Sequence, residues 1–306
     1  MLALVVAADP PYATLAEAPD PRPLPSEALV RVRAVSLNRG EVRHLATMDP
    51  GAITGWDLAG QVEQAAADGS GPPAGARVVG LKQPVGAWAE RAAVPTELLA
   101  ELPDEVTFEQ AACLPVAGLT SLLALQICGF VLGRRVAITG ASGGVGRMAI
   151  QLARDGGAHV TAIARRMEGL AELGADEVAP FLAPEGEGFD AILDAIGGDV
   201  LGAAIQRVNP GGTVVSYGST VPEPVTYPTR ALFGESPGAT VHGLFVFPEL
   251  RRQQSGSRDL ARLAERVAAG RLDVQIDLVA SWREADRVLK AFLDGEVCGK
   301  AVLNVD

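Results

Sequence analysis

The sequence predicts an α/β protein of two domains, one mostly β and one a parallel sheet covered by helices on both faces. Three observations carry this. The chain has 306 residues, 48% of them hydrophobic and 21% charged, which is enough for two cores. From Arg135 onward apolar strands alternate with helices, and that alternation makes a parallel sheet. Before Thr107 there are short strands punctuated by Gly and Pro, with little helix, and the last residues return to β character.

Residues 2–7 form an apolar run that Asp9, Pro10 and Pro11 end, giving a strand and a loop. The prolines of 19–25 make an extended connection. Residues 27–36 set Val32 between Arg31 and Arg33, an alternation that reads as a strand. Residues 37–45 turn into a short helix. Strands are then expected over 55–63, 77–81 and 86–94, with a small, polar surface loop over 65–76. Thr107 and Gln110 have the spacing of a capping box that opens a helix, and a second helix covers 119–128.

In the alternating region, strands are expected at 136–139, 159–164, 177–179, 191–194, 213–217 and 241–246. Six strands suit a doubly wound order. Helices are expected over 144–155, 167–173, 200–207 and, briefly, 231–233. An amphipathic helix over 260–269, a strand over 272–279, a helix capped by Ser281 and a strand over 299–305 complete the chain.

Formal net charge is −11, which disfavours nucleic acid or an anionic membrane as partner, because both need a basic footprint. Cys113, Cys128 and Cys298 are odd in number and far apart, so no disulfide framework is implied. No Cys-x-x-Cys or His-Glu-x-x-His spacing offers a metal site. The N-terminal run lacks a basic region, and no apolar run is long enough to span a bilayer. A cytoplasmic enzyme is the expectation.

The stretch from Val136 to Gly146 reads as a buried strand and a glycine turn, followed at once by a helix. Ala141, Ser142, Gly143, Gly144, Val145 and Gly146 form a dinucleotide fingerprint with alanine in its first position. Bare backbone amides and the positive end of the helix dipole suit a diphosphate there. About 20 residues on, an NAD-selective fold places an acid that bonds the ribose 2′-hydroxyl. This chain has Arg165 and Arg166 instead. Guanidinium forks grip a 2′-phosphate, so NADP(H) is the expected cofactor. Tyr217, Gly218 and Ser219 end a later strand and are expected beside the nicotinamide half; Asp194 reads as capping its own turn.

Beyond these residues, the chain resembles, end to end, the medium-chain dehydrogenase/reductase superfamily in its zinc-free quinone oxidoreductase branch. The segments that carry the likeness are Ser36-Leu37-Asn38, Gly55-x-Asp57-x-Ala59-Gly60, Gly75-x-Arg77-Val78, Gly86-x-x-Ala89-Glu90, Gly118-Leu119-Thr120-Ser121, Leu173-Gly174-Ala175-Asp176 and Gly299-Lys300-Ala301-Val302-Leu303. The resemblance implies a GroES-like β domain from residues 1–118 and 256–306, a Rossmann domain from 119–255, an active cleft between them and a homodimer. It implies that Asn38 lies near the nicotinamide, with Arg39 where relatives carry proline, and that these two hold the catalytic role. It places Thr120 beside the cofactor and Leu244, Phe245 and Val246 along the nicotinamide. Lys300 faces the cleft in some members, and a surface salt bridge is the competing reading.

Zinc alcohol dehydrogenases carry Gly-His-Glu where this chain has Gly55-Trp56-Asp57, which argues for metal-free chemistry. Phe181 stands where relatives place a tyrosine near the adenosine phosphate. The implied reaction is hydride transfer from NADPH to a quinone or an α,β-unsaturated carbonyl, with no membrane or nucleic-acid partner. An enoyl reductase acting on a carrier-bound thioester and a non-catalytic NADP-binding protein are the alternatives. His44 is a proton relay or a surface helix residue; Trp56 and Trp88 shape a pocket or pack a core.

Overall fold

The computed structural model describes residues 1–10 and 12–306; Pro11, in the break after the first strand, lies outside the described residues. In chain order the elements are β1 (Leu2–Val6), β2 (Ala13–Glu17), β3 (Glu27–Ser36), α1 (Arg39–His44), β4 (Asp57–Gln64), β5 (Arg77–Leu81), β6 (Arg91–Pro95), β7 (Leu99–Glu101), α2 (Phe108–Ala112) and α3 (Leu119–Cys128). There follow β8 (Arg135–Thr139), α4 (Gly144–Asp155), β9 (His159–Ile163), β10 (Glu177–Ala179), β11 (Phe189–Asp194), α5 (Gly198–Arg207), β12 (Val208–Ser216) and β13 (Thr240–Gly243). The chain closes with α6 (Val246–Gln253), α7 (Gly256–Ala268), β14 (Ile276–Ser281), α8 (Ala285–Leu293) and β15 (Lys300–Asn304).

These elements form two compact units, Met1–Leu119 with Leu250–Asp306, and Thr120–Glu249. The return to the first unit comes at Leu250, earlier than 256. Arg251 of α6 donates to the Gln83 carboxamide oxygen at 2.9 Å, which ties that half of the helix to the first unit.

The first unit is built on a seven-stranded sheet in the order β14-β15-β3-β4-β5-β7, with β6 also on β3. Strand β3 earns its central place by alternation: Val30 and Val32 are buried, and Arg31 and Arg33 face out. Thr107 opens α2 as expected: its hydroxyl accepts from Gln110 N at 3.2 Å, and Gln110 Oε1 accepts from Thr107 N at 3.0 Å. Helix α7 buries Leu260, Leu263 and Ala264, with Asp259 among them, and turns Arg258, Arg262 and Glu265 outward. Trp88 is fully buried and packs in the main core of this unit.

The second unit is a six-stranded sheet, β10-β9-β8-β11-β12-β13, in which every pairing is parallel. Counted from β8 as the first strand, this is the 3-2-1-4-5-6 order of the doubly wound fold. The order reverses between β8 and β11, so the C-terminal ends of those two strands frame the crevice where such sheets bind ligands.

Several expected elements differ, each for a local reason. Residues 167–173 form a series of turns, because Gly169 takes a left-handed φ of 76° inside the run. The strand expected over 241–246 stops at Gly243, and Val246 begins a helix with Pro248 in its first turn, where proline lacks nothing the helix needs. Over 86–90 the backbone bonds go to separate partners, Trp88 N to Thr54 O and Leu4 N to Trp88 O, so only Arg91–Pro95 joins a ladder. The strand expected from 272 begins at Ile276, because Asp273 accepts from Gln275 N at 2.9 Å and Gln275 turns left-handed. Strand β2 escaped the sequence reading; its half-exposed face breaks the apolar pattern. No helix of the described residues is long and apolar enough to cross a membrane.

Candidate functional site

Two separate groups of residues carry chemistry. The first lies in the second unit, along the C-terminal edge of the parallel sheet. The glycine turn follows β8, Arg165 and Arg166 follow β9, Asp194 ends β11, Tyr217–Ser219 follow β12, and Leu244–Val246 follow β13. Parallel strands place all these segments on one edge, although they span more than a hundred residues of chain.

The turn is built for close backbone approach. A Cβ on Gly146 would lie 2.6 Å from Ala141 Cα and 2.7 Å from Gly140 O, so only glycine lets α4 start this close to β8. A Cβ on Gly143 would meet only Gly140 O, at 3.4 Å, so its outer side is open. Helix α4 runs 12 residues from Gly144, and no side chain caps it. Its first N–H groups therefore remain available to an anion. Arg147 was overlooked in the sequence. It is buried, and it donates to Ser142 O through Nε and to Glu168 O through Nη2, both at 3.1 Å. It thereby fastens the turn to the loop that carries Arg165 and Arg166, both of which are exposed.

The neighbouring strand ends are tied to the turn. Thr139 Oγ1 donates to Asp194 Oδ1 at 2.6 Å, and Asp194 Oδ2 accepts from Gly197 N at 2.9 Å, so Asp194 caps its own turn. Burial raises its pKa. The Tyr217 hydroxyl is buried and has no hydrogen-bond partner among the described residues. Burial first, and Asp194 second, hold it well above the usual phenol range. Ser219 Oγ donates to Val221 O at 2.7 Å. Leu244 and Val246 are buried, and Phe245 is 61% exposed and stands edge-on to Phe247 at 5.1 Å. Thr120 is buried in the first turn of α3. Phe181 is exposed.

The second group lies in the first unit and is a buried polar cluster. Lys300 Nζ donates to Asn38 Oδ1 at 2.7 Å and to Leu37 O at 2.9 Å, and it stands 3.6 Å from Asp57 Oδ2. Asn38 Nδ2 donates to Asp57 Oδ2 at 2.7 Å, and Ser36 Oγ donates to the same oxygen at 2.8 Å. Val116 N donates to Asp57 Oδ1 at 3.0 Å. Glu41 accepts from Asn38 N at 3.1 Å and from Trp56 N. Strands β3, β4 and β15 and helix α1 each contribute to the cluster. Lys300 is 2% exposed, which excludes the surface salt bridge. Arg39 is exposed at the first position of α1. His44 is an exposed helix residue whose ring meets Thr47 Oγ1 at 3.1 Å. The sequence reading missed Ser36, Glu41 and Asp57 as partners; an acid three residues after Asn38 was the available signal.

One lysine and two carboxyl groups share this buried space. Burial raises the pKa of Glu41, and Asp57 beside it adds to the rise. Burial raises Asp57 too, against the pull of Lys300. The folded chain thus keeps a proton here that the unfolded chain releases above about 4.5, the ordinary glutamate value. This contribution to stability is full below that pH and is lost as pH climbs toward the folded value. We expect stability to fall as pH rises above about 4.5, by at most about 1.4 kcal/mol per pH unit for one proton. Asp68, Asp176 and Glu187 shift downward and stay out of this window. Glu41→Gln should flatten the slope; an unchanged slope in that variant would assign it to Asp57 or Asp194.

Comparison with known proteins agrees with this layout. Residues 24–104 match the family model described as alcohol dehydrogenase GroES-like domain, and residues 173–303 match one described as zinc-binding dehydrogenase. The chain is 30% identical to a chloroplastic quinone-oxidoreductase of Triphysaria versicolor, over 94% of this chain and 92% of that protein. An alcohol dehydrogenase superfamily protein from Novosphingobium aromaticivorans is 30% identical with a TM-score of 0.89, each chain covered in full. A polyketide synthase protein of Streptomyces orinoci is 35% identical over 64% of this chain and 10% of its own length. The chain belongs to the medium-chain dehydrogenase/reductase superfamily, in its quinone-oxidoreductase-like branch, and is an oxidoreductase with a GroES-like and a Rossmann domain.

Zinc, which one of these descriptions implies, does not fit the cluster. Its donors are carboxyl, carboxamide and hydroxyl groups already gathered on an ammonium, and neither imidazole nor thiolate joins them. Cys113 nearby turns its thiol to Glu109 O, and burial pushes its pKa up to about 12, so it stays protonated. Among the described residues no group of His, Cys, Asp and Glu side chains is placed to hold a metal ion. A nicotinamide dinucleotide does fit the second unit: the uncapped helix end, the open face of Gly143 and the unpartnered Tyr217 hydroxyl suit a ligand with anionic and hydrogen-bonding groups.

Proposed function

We propose that this protein is an NADPH-dependent, zinc-independent reductase of quinones or α,β-unsaturated carbonyls. The observation that carries the cofactor choice is the pair of exposed arginines after β9, where an acid would select NAD. The amides opening α4 would hold the diphosphate, and Arg165 and Arg166 the 2′-phosphate. Thr120, Tyr217, Gly218 and Ser219 would line the cofactor, and Leu244, Phe245 and Val246 would keep water from the nicotinamide. When bound, the reduced nicotinamide supplies a hydride. Negative charge then builds on the substrate oxygen, and without a metal that charge needs hydrogen-bond donors. Asn38 offers an amide N–H, with Arg39 as an exposed cation beside it. The likeness to a quinone-oxidoreductase supports this substrate class. The edge strand β13, with Val241 44% exposed, supports a second copy of the chain as partner.

Loss of NADPH absorbance with a panel of quinones, enones and enoyl thioesters tests the reaction. Turnover of thioesters alone would replace this reading with a biosynthetic enoyl reductase; cofactor binding with no oxidation on any of them would replace it with a non-catalytic role. Replacing both arginines with alanine should weaken NADPH about 10- to 100-fold, the worth of one or two charge-assisted bonds, and leave NADH unchanged. Titration calorimetry with both cofactors measures this, and equal losses for the two would refute the 2′-phosphate role.

A further inference from the structure

We propose that Lys300 is a positioning residue that sets and polarises the Asn38 carboxamide, so that one amide hydrogen of Asn38 becomes a strong donor to the substrate oxygen. The inference rests on the reading of Asn38 as that donor.

The argument begins with the two ends of the carboxamide. Its Oδ1 takes the Lys300 ammonium at 2.7 Å, a charge-assisted bond inside the protein. Its Nδ2 gives one hydrogen to Asp57 Oδ2 at 2.7 Å. The second hydrogen meets Glu41 Oε2 only at 3.5 Å, the outer limit of a hydrogen bond. That hydrogen is the one an incoming oxygen can take. Asn38 is also the most exposed member of the cluster, at 9%, while Ser36 and Asp57 are 0% and Glu41 and Lys300 are 2%.

A cation on the amide oxygen does two things. It removes the flipped rotamer, because reversing the carboxamide would set its NH₂ against the ammonium. It also draws electron density toward Oδ1, which makes the N–H groups better donors, since linked hydrogen bonds strengthen one another in a buried setting. Lys300 Nζ also holds Leu37 O at 2.9 Å, a bond that a neutral donor could make, whereas polarising the carboxamide needs a cation. Its charge is costly to bury, and the balancing carboxylate of Asp57 is costly too. Lys300 lies 262 residues from Asn38 in the chain, so the pairing exists only in the folded first unit.

A double-mutant cycle tests the proposal on the full-length protein, with NADPH and 1,4-benzoquinone in single-turnover mode. Asn38→Ala should slow hydride transfer about 100-fold, as loss of an oxyanion donor does. Lys300→Met should slow it about 10-fold, leave NADPH affinity unchanged and have less than a twofold effect once Asn38 is alanine. Equal effects of Lys300→Met in both backgrounds would overturn the proposal and leave the donor reading standing. No effect of Asn38→Ala would overturn the donor reading, and the proposal with it. A second readout is independent of turnover. The Asn38 side-chain amide resonances, identified by their loss in Asn38→Ala, should stand apart from those of exposed amides and move toward them in Lys300→Met; resonances that stay in place would overturn the proposal. If Lys300→Met does not fold, Asp57→Asn with Lys300→Met removes the unbalanced charge, and the same shift is read in that background.

Discussion

Gly146→Ala should destabilise the second unit by about 1–3 kcal/mol and weaken NADPH binding at least 10-fold, whereas Gly143→Ala should weaken binding and leave the fold within about 1 kcal/mol of wild type. The two glycines sit three residues apart and do different work. At Gly146 a methyl group would lie 2.6–2.8 Å from three backbone atoms of Gly140 and Ala141. Backbone cannot rotate aside as a side chain can, so α4 must move away from β8. That shift carries the amides at the start of α4 away from the phosphates they would hold. At Gly143 the backbone is extended (φ −83°, ψ 168°) and tolerates alanine, and the nearest atom to a new Cβ is 3.4 Å away. The added methyl group clashes with nothing in the fold, and it should obstruct a diphosphate seated on these amides. Thermal melts separate the two variants, and calorimetry with NADPH reads the loss they share. Full NADPH affinity in Gly143→Ala would remove the turn from the cofactor site.

The second large effect is expected in the first unit. Asp57→Ala should cost about 3–5 kcal/mol, the usual result of breaking a buried pair from one side. The carboxylate is fully buried, and it balances Lys300 while accepting from Ser36, Asn38 and Val116. Its removal leaves the ammonium without its counter-charge, and a hydroxyl and two N–H groups without this acceptor. Adding Lys300→Met to this variant should restore part of the loss, because an unpaired buried charge costs more than unpaired neutral groups. Urea midpoints of the two single variants and the double variant measure the coupling. A cost below about 1 kcal/mol for Asp57→Ala would mean that water reaches the cluster and screens it.

Local chemistry made much of this protein legible before folding. The capping box at Thr107, the extent of Leu119–Cys128 and the run from β8 through α4 depend on residues within a turn or two of each other, and each formed where its pattern stood. The six-stranded parallel sheet followed from alternation alone, since crossovers between parallel strands leave few ways to order them. The pattern failed where one residue overruled its neighbours. Gly169 interrupts an otherwise helical run, and a helix with Pro248 in its first turn begins at Val246, where apolar residues suggested the end of a strand.

Apart from the acid three residues after Asn38, the polar cluster was beyond the reach of local patterns. Lys300, Asp57 and Asn38 each stand in ordinary strand or turn segments, and nothing around Lys300 distinguishes a buried ammonium from a surface one. The sequence by itself determined the glycine turn, the parallel alternation and the arginines that stand where an acid selects NAD, because those depend on spacing along the chain. The tertiary structure alone decided that Lys300 is buried against Asn38 and Asp57, because β15 lies beside β3 and β3 beside β4 in a sheet whose strands come from both ends of the sequence. Burial then turned three common side chains into one coupled charge system.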